Sequence, residues 1–171
     1  MNISKFTQKS IEAVQGCEKI AYEFGNQEID QEHLLYSLLI SEDSLILKLI
    51  EKMDINKDYF VNRVKEALEK KVKVQGGDLR ISNDLNKVLI SAEDDAKAMG
   101  DEYISVEHLF LSLIRYQNKV IKEMFKEFGI NKERFLQALA TVRGNQRVTS
   151  DNPEATYDTL SKYATDLVER A

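Results

Sequence analysis

The chain has 171 residues, 43% of them hydrophobic and 31% charged, with one proline and one cysteine. That length can bury a sizeable core, and that balance excludes disorder and a bilayer span, because no apolar run approaches the roughly 20 residues a span needs. The net charge is −5; residues 148–171, with acids at 151, 154, 158, 166 and 169 against bases at 162 and 170, carry −3 of it. The rest mixes both signs and offers no basic face for nucleic acid. A single cysteine excludes an internal disulfide and fits a reducing compartment. The opening MNISKFTQKSIEAV lacks the continuous apolar core of an export signal, so a cytoplasmic location is expected.

Residues 7–24 place Ile11, Val14, Cys17, Ala21 and Phe24 at helical spacing, with Thr7 as N-cap and Gly25 as stop. Asp30 caps a second, short helix whose Leu34, Leu35, Leu38 and Leu39 form an apolar face. A third carries Leu45, Ile46, Leu49, Ile50 and Met53, and Asn56 opens a fourth with Phe60, Val61, Val64 and Leu68 inward. Residues 69–80, EKKVKVQGGDLR, break the period and read as an exposed linker with a short extended stretch. The series then repeats. Ser82 caps a helix over 83–99 ended by Gly100, and Ser105 caps the next. A third element carries Val120, Ile121, Met124, Phe125 and Phe128, and a last one from Asn131 carries Phe135, Leu136 and Leu139. Beyond Arg143, GNQRVTSDNP is a polar, turn-rich linker.

The repetition is also literal. Sliding the chain by 75 positions lays GNQEIDQEHLLYSLL (25–39) on GDEYISVEHLFLSLI (100–114), superposing Gly25 on Gly100, Ile29 on Ile104 and Glu32-His33-Leu34 on Glu107-His108-Leu109. Without a gap, the same shift lays Ile55-Asn56-Lys57 and Phe60 over Ile130-Asn131-Lys132 and Phe135. An internal repeat of this kind decides the fold class before any other feature. The expected fold is all-α, eight helices as a tandem, pseudo-duplicated four-helix repeat: repeat one at about 4–72, linker 73–80 and repeat two at about 81–147. Cys17 falls on Ala92 and Ala21 on Ala96, small residues suited to close helix approach.

Several chemistries lack their residues. A phosphate-binding loop needs glycines for close backbone approach and a following lysine; no glycine here precedes lysine, and Gly76-Gly77 is followed by Asp78. An enzymatic role for this stretch is therefore not expected, nor a cofactor. His33 and His108, the only histidines, sit in equivalent first turns with no H-E-x-x-H motif or Cys/His cluster around them, which reads as structure rather than a metal site. Cys17 lies on an apolar face and is expected in the core. Glu32 and Glu107 stand in first turns, where the helix dipole favours a carboxylate. Leu85, Val88, Leu89, Tyr103 and Phe110 are apolar residues that the core pattern of the repeat does not obviously use, and they are the candidates for exposed apolar surface.

The doubled pattern of Thr/Ser cap, small residues, Gly, Ile and EHL resembles the Clp amino-terminal domain over residues 4–143. The opening KFTQKSIEA, the segment GNQEID and the tail RGNQRVTSDNPEATYDTLSKYATDLVERA are similar to the ClpB-type disaggregases of that family. The resemblance implies an amino-terminal domain over 1–147, and a linker with the start of a truncated AAA+ module over 148–171. It implies a module that captures unfolded or aggregated polypeptides through an apolar groove, itself monomeric. The larger protein would be a hexameric, stress-response ATPase that binds ATP and magnesium, has a coiled-coil middle domain and works with the DnaK chaperone system. By the same resemblance Thr7, Asp101 and Glu107 are linked to substrate handling. An alternative comes from ClpC- and ClpA-type relatives, in which the domain docks adaptors or phosphoarginine. There glutamates matching Glu32 and Glu107 follow a threonine, whereas this chain has Gln31 and Val106.

Overall fold

The computed structural model describes residues 3–74, 76–144 and 147–153. Among the described residues eight α-helices occur in order: α1 (Gln8–Glu23), α2 (Gln31–Ile40), α3 (Leu45–Lys52), α4 (Lys57–Glu69), α5 (Asn83–Ala98), α6 (Val106–Arg115), α7 (Lys119–Phe128) and α8 (Lys132–Arg143). Thr7, Asp30, Asn56, Ser82, Ser105 and Asn131 hold the N-cap positions the sequence points to; Ser44 and Asn118 cap α3 and α7. Gly25 and Gly100 adopt φ of 70° and 72° just past α1 and α5, the left-handed turn that lets each chain double back. Among the described residues no helix is long and apolar enough to cross a membrane.

In each repeat the first two helices form the tightest pair. Ser37 Oγ donates to Ala13 O at 2.6 Å, and its counterpart Ser112 Oγ donates to Val88 O at 2.7 Å. A Cβ on Gly16 would lie only 2.6 Å from Ser37 Oγ, so α1 meets α2 at a glycine. Leu34, Leu35, Leu38 and Leu39 of α2 are all buried, as are Leu109, Phe110 and Leu113 of α6, and α2 and α6 lie at the centre of one shared core.

Short extended segments, which the helical period only hints at, join the repeats. Strand β1 (Glu28–Ile29) pairs in parallel with β2 (Arg80–Ile81), pairing Ile29 with Ile81. The same shift of 75 turns that contact into Phe6 with Ile104, and a parallel bridge is found there. Ser82 N donates to Ile29 O at 2.9 Å, and Thr7 N donates to Ile104 O at 2.9 Å. Each repeat therefore takes its entry strand to the other repeat's loop. A side-chain clasp adds to this: Gln31 Nε2 donates to Asp84 O (3.1 Å) and Tyr116 O (2.6 Å), and Gln31 Oε1 accepts from Asn118 N (2.8 Å).

Residues 147–153 run back across both repeats. Val148 is buried; its N–H donates to Asp101 Oδ1 (2.9 Å) and its carbonyl accepts from Glu102 N (2.8 Å). Asp151 O accepts from Gln8 N at 2.8 Å, satisfying a first-turn amide of α1. The expected AAA+ start over 148–171 lies, from residue 154 onward, outside the described residues.

Because the repeats exchange strands, Phe6→Ala is expected to cost about 3–5 kcal/mol and to lower one common melting transition. Amide signals of α2 and α6 followed through a thermal melt should vanish together; separate transitions would contradict the interlock.

Candidate functional site

The 26–33 loop and its counterpart 101–108 are built alike. His33 Nδ1 accepts from Asp30 N and Nε2 donates to Asn26 Oδ1, both at 2.9 Å. His108 Nδ1 accepts from Ser105 N at 2.9 Å and Nε2 donates to Asp101 Oδ2 at 2.6 Å. Each histidine thus closes a capping box and pins the residue after the turn glycine. Burial pulls the His33 imidazole down, and the nearby Lys71 ammonium adds to this, leaving it at about 4 despite Asp30.

The two loops differ in charge. In repeat two Arg143, from the end of α8, reaches both Asp101 and Glu107, and Ser105 Oγ donates to Glu107. Burial pushes the Asp101 carboxyl up, but hydrogen bonds from His108, Arg143 and Val148 outweigh it and hold the group below its ordinary value. In repeat one the neutral Asn26 replaces Asp101, and Lys71 pairs with Glu32 and Asp30, while Asn118 Nδ2 donates to Glu32. Both EHL glutamates are therefore buried against a cation of the same chain.

Asp101, His108 and Ser105 stand in line, with Ser105 Oγ 3.1 Å from His108 Nδ1. The order looks like a hydrolytic triad, but its chemistry is blocked. Nδ1 already accepts a backbone amide, the hydroxyl is directed at Glu107, and all three side chains are buried. Cys17 is buried too, its thiol pushed up to about 12 by desolvation, so it is no nucleophile. Among the described residues no group of three His, Cys, Asp or Glu could hold a metal ion.

Accessible apolar space lies elsewhere. A hollow of about 210 Å³, partly open to solvent, separates α1 from α5 and is lined by Val14, Gln15, Cys17, Glu18, Ile29, Ile81, Leu85 and Leu89. Ile81, on β2, is 51% exposed at its rim. The walls are apolar except for Gln15 and Glu18.

The residues singled out from the sequence fall into three places. Thr7, Asp101 and Glu107 share one neighbourhood: Thr7 N binds Ile104 O inside the loop that Arg143 holds through Asp101 and Glu107. Leu85 and Leu89 belong to the hollow, but as its floor, only 1% and 2% exposed. Phe110 and Val88 depart from the expected apolar surface. Phe110 is fully buried between Phe125 and Phe135, at ring distances of 5.4 and 4.6 Å, because α6 is central in the fold. Val88 is buried where Ser112 meets α5. Tyr103 packs partly buried against the core. Sequence reasoning missed Ile81 and Val14; the former was legible as the partner of Phe6 in the 75-residue shift. It also missed Arg143, whose repeat-one counterpart is Leu68 and so carries no signal.

A tandem four-helix repeat, interlocked by strands and carrying a doubled EHL loop, defines an all-α repeat domain. Residues 5–128 match the Clp repeat (R) N-terminal domain family, and the chain belongs to it. The chaperone protein ClpB of Nitratidesulfovibrio vulgaris is 41% identical over 177 residues, covering 100% of this chain and 20% of that protein. ClpB of Bacillus anthracis is 39% identical over 173 residues, covering 98% of this chain and 20% of its own length. The chain thus spans about a fifth of these relatives. Among solved structures, the Hsp104 N-terminal domain from Candida albicans superposes with a TM-score of 0.77 at 24% identity, covering 88% of this chain and 99% of that one. A complex of the ClpV N-domain with a VipB peptide superposes at 0.64 and 20% identity, covering 86% and 92%.

The buried neutral His33 sets a pH dependence. Its folded pKa of about 4 lies below the ordinary value of 6.5, so the unfolded chain binds more protons between those values and stability falls as pH drops from 6.5 toward 4. From pH 7 to pH 5 the expected loss is about 2 kcal/mol. His33→Gln keeps an acceptor in the capping box without the titration, and urea unfolding at both pH values should find that loss largely removed.

Proposed function

We propose that this chain is the substrate-capturing domain of a ClpB-type ATP-dependent chaperone, and that the hollow between α1 and α5 receives apolar segments of unfolded or aggregated polypeptide. The observation that carries this reading is the hollow itself, apolar-walled and with Ile81 half exposed at its rim. Unfolded chains differ from folded ones in the apolar side chains they leave in water, and a site that removes such side chains from water distinguishes the two. The ClpV N-domain, of the same fold, forms a complex with a VipB peptide, which supports peptide capture as a use of this architecture.

The magnitudes suit capture rather than tight binding. One buried apolar side chain contributes roughly 1.5–3 kcal/mol, well short of the about 8 kcal/mol of a micromolar complex. Cargo held this way exchanges fast and passes readily to a motor. In this reading Leu85 and Leu89 floor the site, and Thr7, Asp101 and Glu107 act as positioning residues, because they hold the loop to which the N-terminal strand is tied. Phe110 and Tyr103 support the core behind that loop.

The rest of the protein is proposed from its relatives. It would be a hexameric AAA+ ATPase, using ATP and magnesium to thread aggregated chains in the cytoplasm alongside the DnaK system during stress. Nucleotide hydrolysis would belong to segments outside this chain, which carries no G-x-x-x-x-G-K-[ST] loop; residues 1–171 would need no cofactor, would be monomeric and would bind neither nucleic acid nor membrane. Docking of phosphoarginine at Glu32 and Glu107 has less support, because both carboxylates are buried and already face Lys71 and Arg143.

Two measurements test these statements. Titrating the chain with a chemically reduced and alkylated test protein should shift the amide resonances of Val14, Ile29, Leu85 and Leu89, and Ile81→Asp should weaken the effect at least about tenfold; no shifts at millimolar concentration would sink the hollow as a capture site. Calorimetry with free phosphoarginine should give no binding heat. Saturable heat lost in the Glu32→Ala, Glu107→Ala double variant would restore the docking alternative.

A further inference from the structure

The 75-residue correspondence gives the hollow an internal counterpart. Under it Val14 and Leu89 exchange places, Glu18 answers to Glu93, Ile29 to Ile104, Leu85 to Ser10, and Ile81 to Phe6. The chain closes that counterpart itself. Phe6 is 3% exposed where Ile81 is 51% exposed, and Lys5 Nζ lies 2.8 Å from Glu93 Oε1. On the open side the residue answering to Lys5 is Arg80, whose guanidinium is directed at Glu28, 3.9 Å away. Glu18, exposed on the rim, forms no ion pair among the described residues. The open half thus lacks two things the closed half has: a large ring between the helices, and a cation against the carboxylate of the facing helix.

We propose that the hollow selects, within unfolded polypeptide, a bulky apolar side chain directly preceded by a basic residue, the pair with which the chain closes the other half at Lys5–Phe6. Two independent features support this occupant. Ile81 is smaller than Phe6 and stays half in water, so the space between α1 and α5 is left for a side chain from outside. Glu18, the one acid lining that space among the described residues, stands where Glu93 stands toward Lys5, so a cation beside the ring meets a complementary charge. Ser10 in the closed half also donates to Ile104 O at 2.8 Å, where Leu85 in the open half presents only hydrocarbon, so the open half is the more apolar of the two. The proposal rests on the reading of the hollow as a polypeptide-binding site and names the segment it takes.

The test uses the whole chain and blocked octapeptides of glycine and serine with a central Lys-Phe, Lys-Ala or Glu-Phe pair, followed by amide chemical shifts. Lys-Phe should bind tightest, with Lys-Ala about tenfold weaker and Glu-Phe about two- to fivefold weaker. Ile81→Phe supplies on the open side the ring that Phe6 supplies on the closed one; it should weaken Lys-Phe at least about tenfold while Tm holds or rises. Glu18→Lys, a change at an exposed position, should abolish the preference for Lys-Phe over Glu-Phe. Equal binding of the three peptides, or full-strength binding of Lys-Phe by folded Ile81→Phe, would overturn the proposal. So would peptides that all fail while the reduced and alkylated test protein still binds, an outcome that leaves polypeptide capture by the hollow standing. Failure of both probes would remove the underlying reading as well.

Discussion

Two short parallel pairings, Ile29 with Ile81 and Phe6 with Ile104, organise this molecule. Each ties the segment entering one repeat to the loop of the other. They are small in hydrogen-bond number, but they decide which helices meet. α1 is committed to α2 by the Ser37–Ala13 contact and α5 to α6 by Ser112–Val88, while the exchanged strands bring α1 and α5 side by side without packing them fully. The hollow between them is a result of that arrangement. Each repeat is denied a complete core of its own, in keeping with the rule that repeat units bury their apolar faces only against neighbours.

The exchange also explains why polar groups are buried beside it. A loop that must present its backbone to a strand from elsewhere has to be held, and each repeat holds it with the histidine of its EHL turn. In repeat one the histidine's own bond is neutral, Asn26 accepting from His33, while Lys71 pairs with Glu32 and Asp30 beside it. Repeat two uses charge: Asp101, His108, Arg143 and Glu107 form a closed network, with Val148 as a further donor. Buried ion pairs recover their desolvation cost only when every member is bonded, and here each carboxylate meets Arg143 plus at least one further donor. That completeness separates the Asp101–His108–Ser105 alignment from a catalytic triad. The same bonds that fix its geometry leave no group free to react.

Much of the fold was legible in the sequence because the signals repeat. The caps at Thr7, Ser82, Asn56 and Asn131, the turn glycines at 25 and 100, and the leucine faces of α2 and α6 each occur twice at the same spacing, so chance agreement is remote. The strands were nearly invisible, since two residues carry no alternation to read. For the site, residue type alone misled. Phe110 and Val88 are as apolar as Ile81, yet they are buried because α6 is central and α5 turns Val88 toward it. Exposure at Ile81 becomes apparent only by asking why its counterpart is a phenylalanine. Arg143 stayed hidden for the opposite reason: its partners lie 36 and 42 positions away and its counterpart is a leucine.

The segment at 147–151 gives the domain a mechanical character. Its backbone is bonded to Asp101 and Glu102 in one repeat and to Gln8 in the other. Tension arriving along the chain from beyond residue 153 therefore does not load α8 first. It is divided between the first turn of α1 and the loop that carries the charged network, and peeling Val148 from Asp101 would remove one of the bonds that keep that carboxylate ionised. The segment thus lies in the region that the two halves share, so traction on it would bear on the junction of the two repeats before it bears on either repeat alone.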